Sequence, residues 1–331
     1  MKKQLIFLAL SAALFLHACK PSVSPVNKEA TAEARRLLDF LYTHRGEKIL
    51  SGQHNYPHEL TNSTDSIVAI TEKTPSIWGT DVSSMSDNLF QQAKEEFEKG
   101  SIITLMYHQV KPFDHDSLGF ARSVKGMVTD EQWQQIITPG TEYHMMWLDK
   151  IDQRAAFLKK FRDAQIPVLW RPYHEMNGMW FWYGKRPGPD GIQKLWKMMY
   201  DRYVNHHHLH NLIWVWNANA PRDWKDDEAG AYHLFYPGNE YVDILAADVY
   251  KNDFKQSHHD ELLELGQGKL IALGEVGQLP TPAILRQQNQ WSWFMCWARF
   301  PWTHNTREAV QELYSDERVA TLQETKNYNK E

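Results

Sequence analysis

Eight short, mostly apolar runs recur along the chain and constrain its fold more than any other feature. Each is eight or nine residues long and rich in β-branched or aromatic residues. Near-continuous apolar runs of this length are typical of parallel strands covered on both faces, and they are too short to be predicted as helices. The predicted strands occupy residues 48–55, 75–82, 101–108, 167–175, 211–218, 242–250, 269–277 and 292–299.

Segments with helical character lie between these runs, at residues 64–73, 89–100, 145–165 and 192–208. Alternation of strand and helix indicates right-handed βαβ units, and eight such units close a (β/α)8 barrel. The hydrophobic share of 42% and the charged share of 23% are those of an ordinary globular protein. We therefore predict a single-domain (β/α)8 TIM barrel over residues 29–331.

Residues able to do chemistry stand at the ends of nearly all the predicted strands. In a barrel all these ends lie on one face, where such enzymes place their sites. The long connection at residues 109–140 is predicted to form a wall of a cleft on that face. The strand-end residues are His54, Asn55, Asp81, His108, His174, Glu175, Asn217, Asp248, Tyr250, Glu275, Trp297 and Arg299.

Two carboxylates among them, Glu175 in HEMNG and Glu275 in LGEVG, end the fourth and seventh predicted strands. A barrel would direct both across the same mouth, and glycoside hydrolysis needs such a pair. In a retaining reaction one carboxyl protonates the leaving oxygen while the other attacks the anomeric carbon from about 5 to 5.5 Å away. The first group must then hold a proton near neutral pH while the second stays ionised.

The segment WRPYHEMNGMWFWYG, with Arg171, His174, Glu175, Asn177, Gly178 and Trp180, and the segment LGEVG resemble the signature of glycoside hydrolase family 26. The best-known members of that family are endo-acting β-1,4-mannanases. The likeness extends from SGQHN near residue 51 to the WAR sequence near residue 297. It implies a retaining enzyme on a (β/α)8 barrel, with Glu175 as acid/base and Glu275 as nucleophile.

The same resemblance implies a set of substrate-binding residues. His108 and His174 match histidines that line the subsite of the attacked sugar, and Trp180 matches a stacking aromatic near the leaving group. Asp248 matches a substrate-binding carboxylate, and Tyr250 matches a hydroxyl donor to the nucleophile.

Three further assignments are less direct. Trp297 resembles a platform under the bound sugar, but Trp302 is near enough in sequence to leave this match open. Arg171 is grouped with the substrate-binding residues because it lies in the first motif. Asn217 and Asp81 are candidates for supporting roles behind the residues that touch substrate.

Other functions remain open at this stage. Relatives of this kind also attack β-1,3-1,4-glucan or β-1,3-xylan, and some release mannobiose from chain ends when a loop blocks the cleft. A non-catalytic glycan-binding lipoprotein would also explain the 14 Trp, 14 Tyr and 14 Phe residues, because aromatic rings stack on sugar faces. That alternative gives no reason for both Glu175 and Glu275.

The sequence predicts no cofactor, no metal and no nucleic-acid partner. It has neither a GxxxxGK[ST] loop nor a dinucleotide fingerprint, and HHHLH at residues 206–210 lacks the HExxH spacing. The net charge of −5 and the lack of a long basic run argue against nucleic acid. We expect a monomer that binds β-mannan or manno-oligosaccharides.

Residues 1–18 read as an export signal, because a positive start precedes an apolar stretch too short to span a bilayer. The sequence LHAC resembles a bacterial lipobox, in which Cys19 is acylated, although ordinary cleavage nearby is an alternative. Residues 19–28 would then form a tether to the membrane, with the anchored protein in the periplasm or at the cell surface. Cys296 is the other cysteine, so we expect no internal disulfide.

Overall fold

The computed structural model describes residues 23–329, in which eight parallel strands form a closed barrel. Each strand pairs with the next along the chain, and the eighth pairs with the first. The predicted single (β/α)8 barrel is confirmed, and each of the eight strands overlaps its predicted run. The strands are β1 (Ile49–Asn55), β2 (Ile77–Asp81), β3 (Ile102–Tyr107), β4 (Val168–Pro172), β5 (Leu212–Asn219), β6 (Ile244–Val249), β7 (Leu270–Val276) and β8 (Trp291–Cys296).

Helices cover the outside of the barrel and match the four predicted helical segments. A two-residue strand, Val319–Ala320, also pairs with the start of β1. The α-helices are Ala32–Thr43, Asn62–Thr71, Asp87–Lys99, Asp130–Ile137, Glu142–Asp163, Ile192–Asp201, Gln256–Gly266, Pro282–Gln287, Phe300–Thr303, Arg307–Ser315 and Leu322–Thr325.

The connection between β5 and β6 departs from the predicted alternation of strand and helix. It contains an antiparallel hairpin of Arg222–Trp224 and Asp227–Ala229, followed by 3-10 turns at Tyr232–Leu234 and Asn239–Tyr241. Prolines and glycines recur through this segment, in APRDW, EAGAY and YPGN. They disfavour a continuous helix, since proline lacks the backbone donor and glycine favours turns. The hairpin rises at the barrel mouth instead.

The lower half of the barrel is closed by the helix Ala32–Thr43. Leu37, Leu38 and Leu41 on that helix are buried in a cluster with residues from all eight strands, such as Leu50 and Ile213. Thr31 caps the helix by accepting a hydrogen bond from the Ala34 amide. Burying each leucine contributes about 1.5–3 kcal/mol. This buried cluster forms the base of the barrel, at the end opposite its open mouth.

The N-terminal segment docks at the same base. The backbone amide of Val26 donates to Oδ1 of Asp243, just before β6, at 2.7 Å. Asn27 is buried, and its side-chain amide nitrogen lies 3.1 Å from Nδ1 of His210. The described part of the predicted tether therefore packs on the barrel from residue 26 onward. Cys19 and the predicted signal at residues 1–18 lie outside the described residues. Within residues 23–329, no helix has the length and apolar character needed to cross a membrane.

Residues 109–140 fold over the barrel mouth. We call residues 113–124 the strap; it holds a 3-10 turn, Asp116–Leu118, and a π-helical turn, Phe120–Val124. Ser123 fastens its end by accepting from the Lys111 amide at 2.9 Å and donating to Asp114 at 2.7 Å. The Phe120 ring lies 4.9 Å from that of His108. The strap is therefore part of the cleft wall that the sequence predicts.

Candidate active site

A cavity of about 350 Å³ opens where the strands end, and both predicted catalytic glutamates line it. Its walls come from the strap, from the turn after β4 and from the loops after β5, β6 and β8. The lining residues are His108, Phe120, Lys125, His174, Glu175, Trp180, Phe181, Asp226, Asp227, Tyr250, Glu275 and Trp297.

The turn after β4 explains why an apolar strand ends in so many polar residues. Tyr173 and Glu175 both have left-handed backbone conformations, with φ of 48° and 55°. Such conformations cost of order 1–3 kcal/mol each and persist only where neighbouring structure enforces them. The Glu175 amide donates to the Asn217 carbonyl at 2.8 Å, and the Gly178 amide donates to the Glu175 carbonyl at 2.9 Å. The sharp turn directs the Glu175 carboxyl into the cavity.

Asn177 and Gly178 hold this turn in shape. The Asn177 side chain donates to the carbonyls of Asn219 and Gly230 at 2.8 Å each and accepts from the Asn219 amide at 2.8 Å. A Cβ atom at position 178 would lie 2.2 Å from the Trp180 ring, so only glycine fits there. Asn177 therefore fixes the turn to the segment after β5, and Gly178 leaves room for Trp180 beside Glu175.

Glu175 is placed as an acid. Its Oε2 accepts from the Trp180 indole N–H at 2.6 Å, and its Oε1 accepts from the side-chain amide of Asn219. Burial, followed by the negative charge of Glu275, raises the pKa of Glu175 to about 7, although the two donors oppose that shift. A carboxyl with this pKa is still largely protonated at slightly acidic pH.

Glu275 is placed as an anion. Arg171 donates to its Oε1 at 2.8 Å, and the Tyr250 hydroxyl donates to its Oε2 at 2.5 Å. Burial and the adjacent Glu275 charge raise the pKa of Tyr250 well above its ordinary value, so its hydroxyl stays a donor. The charge of Arg171 and the two hydrogen bonds stabilise the carboxylate form of Glu275.

The separation of the two carboxyls fits a nucleophilic mechanism. A carboxylate oxygen of Glu175 and one of Glu275 lie within 4.8 Å of each other. Retaining glycosidases hold their carboxyls about 5–5.5 Å apart, whereas inverting enzymes need about 6.5–9.5 Å to admit water between them. The pair can therefore protonate a leaving oxygen and attack the adjacent carbon.

The two predicted histidines lie beside this pair. Nδ1 of His108 is 2.6 Å from Oδ2 of Asp81, which leaves Nε2 as the nitrogen available to a sugar hydroxyl. The rings of His174 and His108 meet edge-on, with ring centres 4.6 Å apart. Nε2 of His174 is 3.8 Å from Oε1 of Glu275. Burial and the neighbouring His108 hold the pKa of His174 well below its ordinary value, so His174 is neutral.

The structure distinguishes between the two tryptophans that the sequence left open. Trp297 lines the cavity and stacks on His54, with ring centres 4.1 Å apart and planes 14° apart. Trp302 is 41% exposed and lines a separate surface depression with Arg299. Trp297 is therefore the ring positioned to lie under a sugar in the catalytic cavity.

Two residues predicted to bind substrate lie behind Glu275. Asp248 is fully buried, and neither it nor Arg171 lines the cavity. Nη1 of Arg171 is 3.0 Å from Oδ1 of Asn217 and 3.7 Å from Oδ1 of Asp248. A Cβ at Gly274 would lie 1.7 Å from Oδ1 of Asn217 and 2.9 Å from the same Asp248 oxygen, so this glycine gives both side chains their space. Arg171 and Asp248 therefore lie behind Glu275, outside the set of residues that line the cavity.

Burial, then the charge of Glu275, raises the pKa of Asp248 well above its ordinary value. Arg171 and Asn217 oppose this shift. Asp81 and Asn217 do take supporting positions, next to His108 and Arg171 respectively.

Several residues of the site were not predicted. Asn219, which contacts Glu175, lies one residue beyond the predicted fifth strand, and Asp226 and Asp227 come from the unpredicted hairpin. Phe120 and Lys125 lie in the long connection, where no periodic pattern indicates which side chains face the cavity. Asn219 could have been predicted from its position, because alternate residues of a strand share a face and Asn217 is a predicted supporting residue.

Two groups of side chains have a spacing that metals use. Glu175, Asp248 and Glu275 form one, but the Arg171 guanidinium already provides a positive charge next to two of these carboxyls. Glu29, His208 and His210 form the other, at the base of the barrel. There the Asn27 amide contacts Nδ1 of His210, whose Nε2 is 3.0 Å from Glu29, so hydrogen bonds and an ion pair account for this group.

Comparisons with known proteins show the family to which the chain belongs. Residues 26–324 match the model of glycosyl hydrolase family 26. The chain is 35% identical to a mannan endo-1,4-beta-mannosidase of Thermothelomyces thermophilus, over 91% of this chain and 63% of that protein. Two Piromyces relatives with this activity name are 28% identical, with 51% and 54% of their length covered. The chain thus spans about half to two thirds of these relatives.

Solved structures of family 26 proteins are also similar to this chain. A GH26A protein from a Muricauda species has a TM-score of 0.87 and 46% identity, over 90% of this chain and 99% of that one. A GH26-CBM35 beta-(1,4)-mannanase of Podospora anserina has a TM-score of 0.77 and 31% identity, over 92% of this chain and 69% of that one. The chain belongs to glycosyl hydrolase family 26.

Proposed function

We propose that this protein is a retaining endo-β-1,4-mannanase that cleaves mannan, glucomannan or galactomannan by double displacement. The observation that carries the proposal is the pair Glu175 and Glu275, whose oxygens lie within 4.8 Å and whose surroundings favour opposite protonation states. The pair supports the reaction type, and the relatives support the substrate.

In the first step Glu175 gives its proton to the glycosidic oxygen while Glu275 attacks the anomeric carbon. The bond between that carbon and the leaving oxygen breaks, and a covalent ester forms between the sugar and Glu275. The hydrogen bonds of Trp180 and Asn219 then stabilise the new Glu175 carboxylate. Trp297 and His108 line the cavity where the attacked sugar sits.

In the second step Glu175 takes a proton from water, and the water oxygen attacks the anomeric carbon and releases Glu275. Esterification has removed the negative charge that raises the pKa of Glu175, so that pKa falls when Glu175 must act as a base. Two inversions give overall retention. Arg171 and Tyr250 stabilise the returning carboxylate of Glu275.

Mannan is the proposed substrate because relatives across much of this chain carry mannanase names. They include the proteins of Thermothelomyces thermophilus and Piromyces, and a mannan endo-1,4-beta-mannosidase of Bacillus subtilis that is 27% identical over 94% of this chain and 92% of its own length. Purified protein incubated with mannan, mixed-linkage β-1,3-1,4-glucan and β-1,3-xylan tests the proposal. We expect products from mannan alone, and hydrolysis of either other glycan in preference would overturn it.

The time course on long mannan separates endo from exo action. Endo cleavage gives a mixed ladder of oligosaccharides early, whereas a mannobiohydrolase gives mannobiose alone. Glu275→Ala is the matched control, because it removes the nucleophile; we expect it to fold and to release no sugar. Wild-type protein that bound mannan without hydrolysing it would instead support the glycan-binding alternative.

We also propose that the protein is an exported bacterial lipoprotein, a monomer anchored through Cys19. The support is the LHAC sequence and the apolar stretch before it. Labelling expressing cells with a fatty-acid analogue should mark the wild-type protein and not Cys19→Ser, and light scattering should give a monomer mass. An unlabelled wild-type protein would overturn the anchor.

A further inference from the structure

The hairpin after β5 places one arginine, Arg222, against both hydrogen-bond donors of Glu175. The hairpin is joined to the turn after β4, because Gly178 forms an antiparallel bridge with Ala229. The Arg222 side chain is only 7% exposed, although it does not line the catalytic cavity. A cation that is buried to this extent needs partners. Those of Arg222 lie directly behind the acid.

Asp227, on the facing strand of the hairpin, fixes the guanidinium of Arg222. Nη2 of Arg222 donates to the Asp227 carboxylate at 2.5 Å, and its Nε donates to the Asp227 carbonyl at 3.1 Å. The guanidinium is planar and its donors form a rigid fork. Two of its nitrogens are therefore held by Asp227, and the third, Nη1, is left to face Asn219.

This contact sets the orientation of the Asn219 amide. Nη1 of Arg222 donates to Oδ1 of Asn219, and Nδ2 of Asn219 donates to Oε1 of Glu175. An arginine has donors and no acceptor, so it can bond only to the oxygen end of an amide. The nitrogen end must then face Glu175. If the amide were reversed, its oxygen would face Glu175 and could bond only to the protonated carboxyl.

Arg222 also contacts the second donor to Glu175. Its guanidinium carbon lies 5.2 Å from the centre of the Trp180 ring and 5.0 Å from that of Trp224. A cation over a tryptophan ring is attracted to it at such distances. The Trp180 indole N–H donates to Oε2 of Glu175, so the contact supports this ring in the position from which it donates.

We propose that Arg222 is a positioning residue for the acid/base, which holds Asn219 as a donor to Glu175 and supports Trp180 beside the same carboxyl. This inference rests on the proposed role of Glu175. It means that the Glu175 carboxylate formed in the first step meets two donors that are already in place. Without Arg222 the Asn219 amide is free to reverse and Trp180 loses its support, so the pKa of Glu175 should rise.

The test follows the titration of Glu175 directly. Carboxyl-carbon NMR of protein labelled in its glutamate side chains gives the midpoint, and Glu175→Gln identifies the signal by its loss. In Arg222→Met we expect the midpoint to rise by about half a pH unit or more, since a hydrogen bond to the anion is weakened. The alkaline limb of kcat/KM on mannan should move in the same direction. Arg222→Lys keeps a cation that can donate to Asn219, and should restore most of the wild-type midpoint.

Lys251→Met is the matched control. Lys251 lies 2.8 Å from the Asp227 carboxylate and 4.6 Å from the Trp224 ring centre, so it shares two neighbours with Arg222. Among the described residues it makes no hydrogen bond with either donor to Glu175. Its side chain is 64% exposed, so solvent screens its charge and the midpoint should not move. The other charged or titratable groups near Glu175 are unchanged in every variant: Lys125, Asp226, Asp227, Asp248, Tyr250 and Glu275.

Asn219→Ala separates positioning from a direct effect of the Arg222 charge, which also lowers the pKa of Glu175. A charge acting alone would give the same shift for Arg222→Met in the wild-type and Asn219→Ala backgrounds. Positioning predicts that at least about half of the shift disappears once Asn219 is absent, because the two residues act through one hydrogen bond. Equal shifts in both backgrounds would overturn the inference.

The remaining outcomes distinguish this inference from the proposed function. A lower temperature of thermal unfolding with an unmoved Glu175 midpoint would make Arg222 a support of the hairpin alone, and would also overturn the inference. Arg222→Gln, which is equally neutral, gives the same comparison if Arg222→Met does not fold. The titration needs no substrate, so it decides the role of Arg222 even if the wild-type protein hydrolyses no mannan, a result that would overturn the proposed function.

Discussion

Trp180 donates its indole N–H to Oε2 of Glu175 at 2.6 Å, and Gly178 gives the ring the space to do so. This bond favours the ionised form of Glu175, so it opposes the burial that keeps the carboxyl protonated. Trp180 therefore lowers the proton affinity that burial and the charge of Glu275 give to Glu175.

Replacing Trp180 by Phe keeps an aromatic ring and removes the donor. Since a hydrogen bond to the anion is lost, the pKa of Glu175 should rise, and the alkaline limb of the kcat/KM profile should move to higher pH. Profiles of kcat/KM against pH for both proteins measure the shift. Trp182→Phe is a control, because the Trp182 indole donates to the Gln109 carbonyl in the core. If the alkaline limb of the profile does not move in Trp180→Phe, the role of the Trp180 hydrogen bond is refuted.

The wild-type pH profile tests the assignment of the acid. Burial and the charge of Glu275 raise the pKa of Glu175 to about 7, so its protonated, active form is lost as pH rises through about 7. We expect kcat/KM to fall about tenfold per pH unit well above that value. In Glu175→Gln this limb should vanish along with most activity. A limb that persisted in Glu175→Gln would assign it to another group.

Asp248→Asn distinguishes a supporting carboxyl from a substrate ligand. Because Asp248 is fully buried beside Arg171, its amide analogue should lower kcat through a less well oriented Glu275, and leave KM within about twofold. Steady-state kinetics on manno-oligosaccharides give both parameters. A large rise in KM with unchanged kcat would mean that Asp248 contacts the sugar after all.

The base of the barrel should behave as a structural support alone. Leu37 is completely buried among residues of the strands, so Leu37→Ala should reduce the free energy of unfolding by about 2–5 kcal/mol. Urea unfolding measures this loss. At a temperature where the variant stays folded, kcat should match wild type; a changed kcat would show that the base influences the distant mouth.

The sequence predicted the barrel well because parallel strands covered on both faces must be apolar along their whole length, and all eight predicted runs became strands. The predicted alternation of strand and helix does not hold between β5 and β6. Nothing in strand periodicity describes a hairpin, and the proline and glycine residues of that segment indicate only that the helix is interrupted.

The catalytic pair was predictable for a related reason. Glu175 and Glu275 stand at the ends of strands, and the topology brings those ends together. The roles of Arg171 and Asp248 were not separable, because a position near the end of a strand does not say whether the side chain faces the cavity or the barrel interior. That distinction depends on packing, here on the space left by Gly274.

The central claim is that Glu275 attacks the sugar while Glu175 supplies the proton. Incubation with a 2-deoxy-2-fluoro mannosyl fluoride, whose glycosyl ester hydrolyses slowly, followed by peptide mass spectrometry, tests it most directly. The account predicts one sugar per protein, attached at Glu275, and no label in Glu275→Ala. A label on any other residue would contradict it.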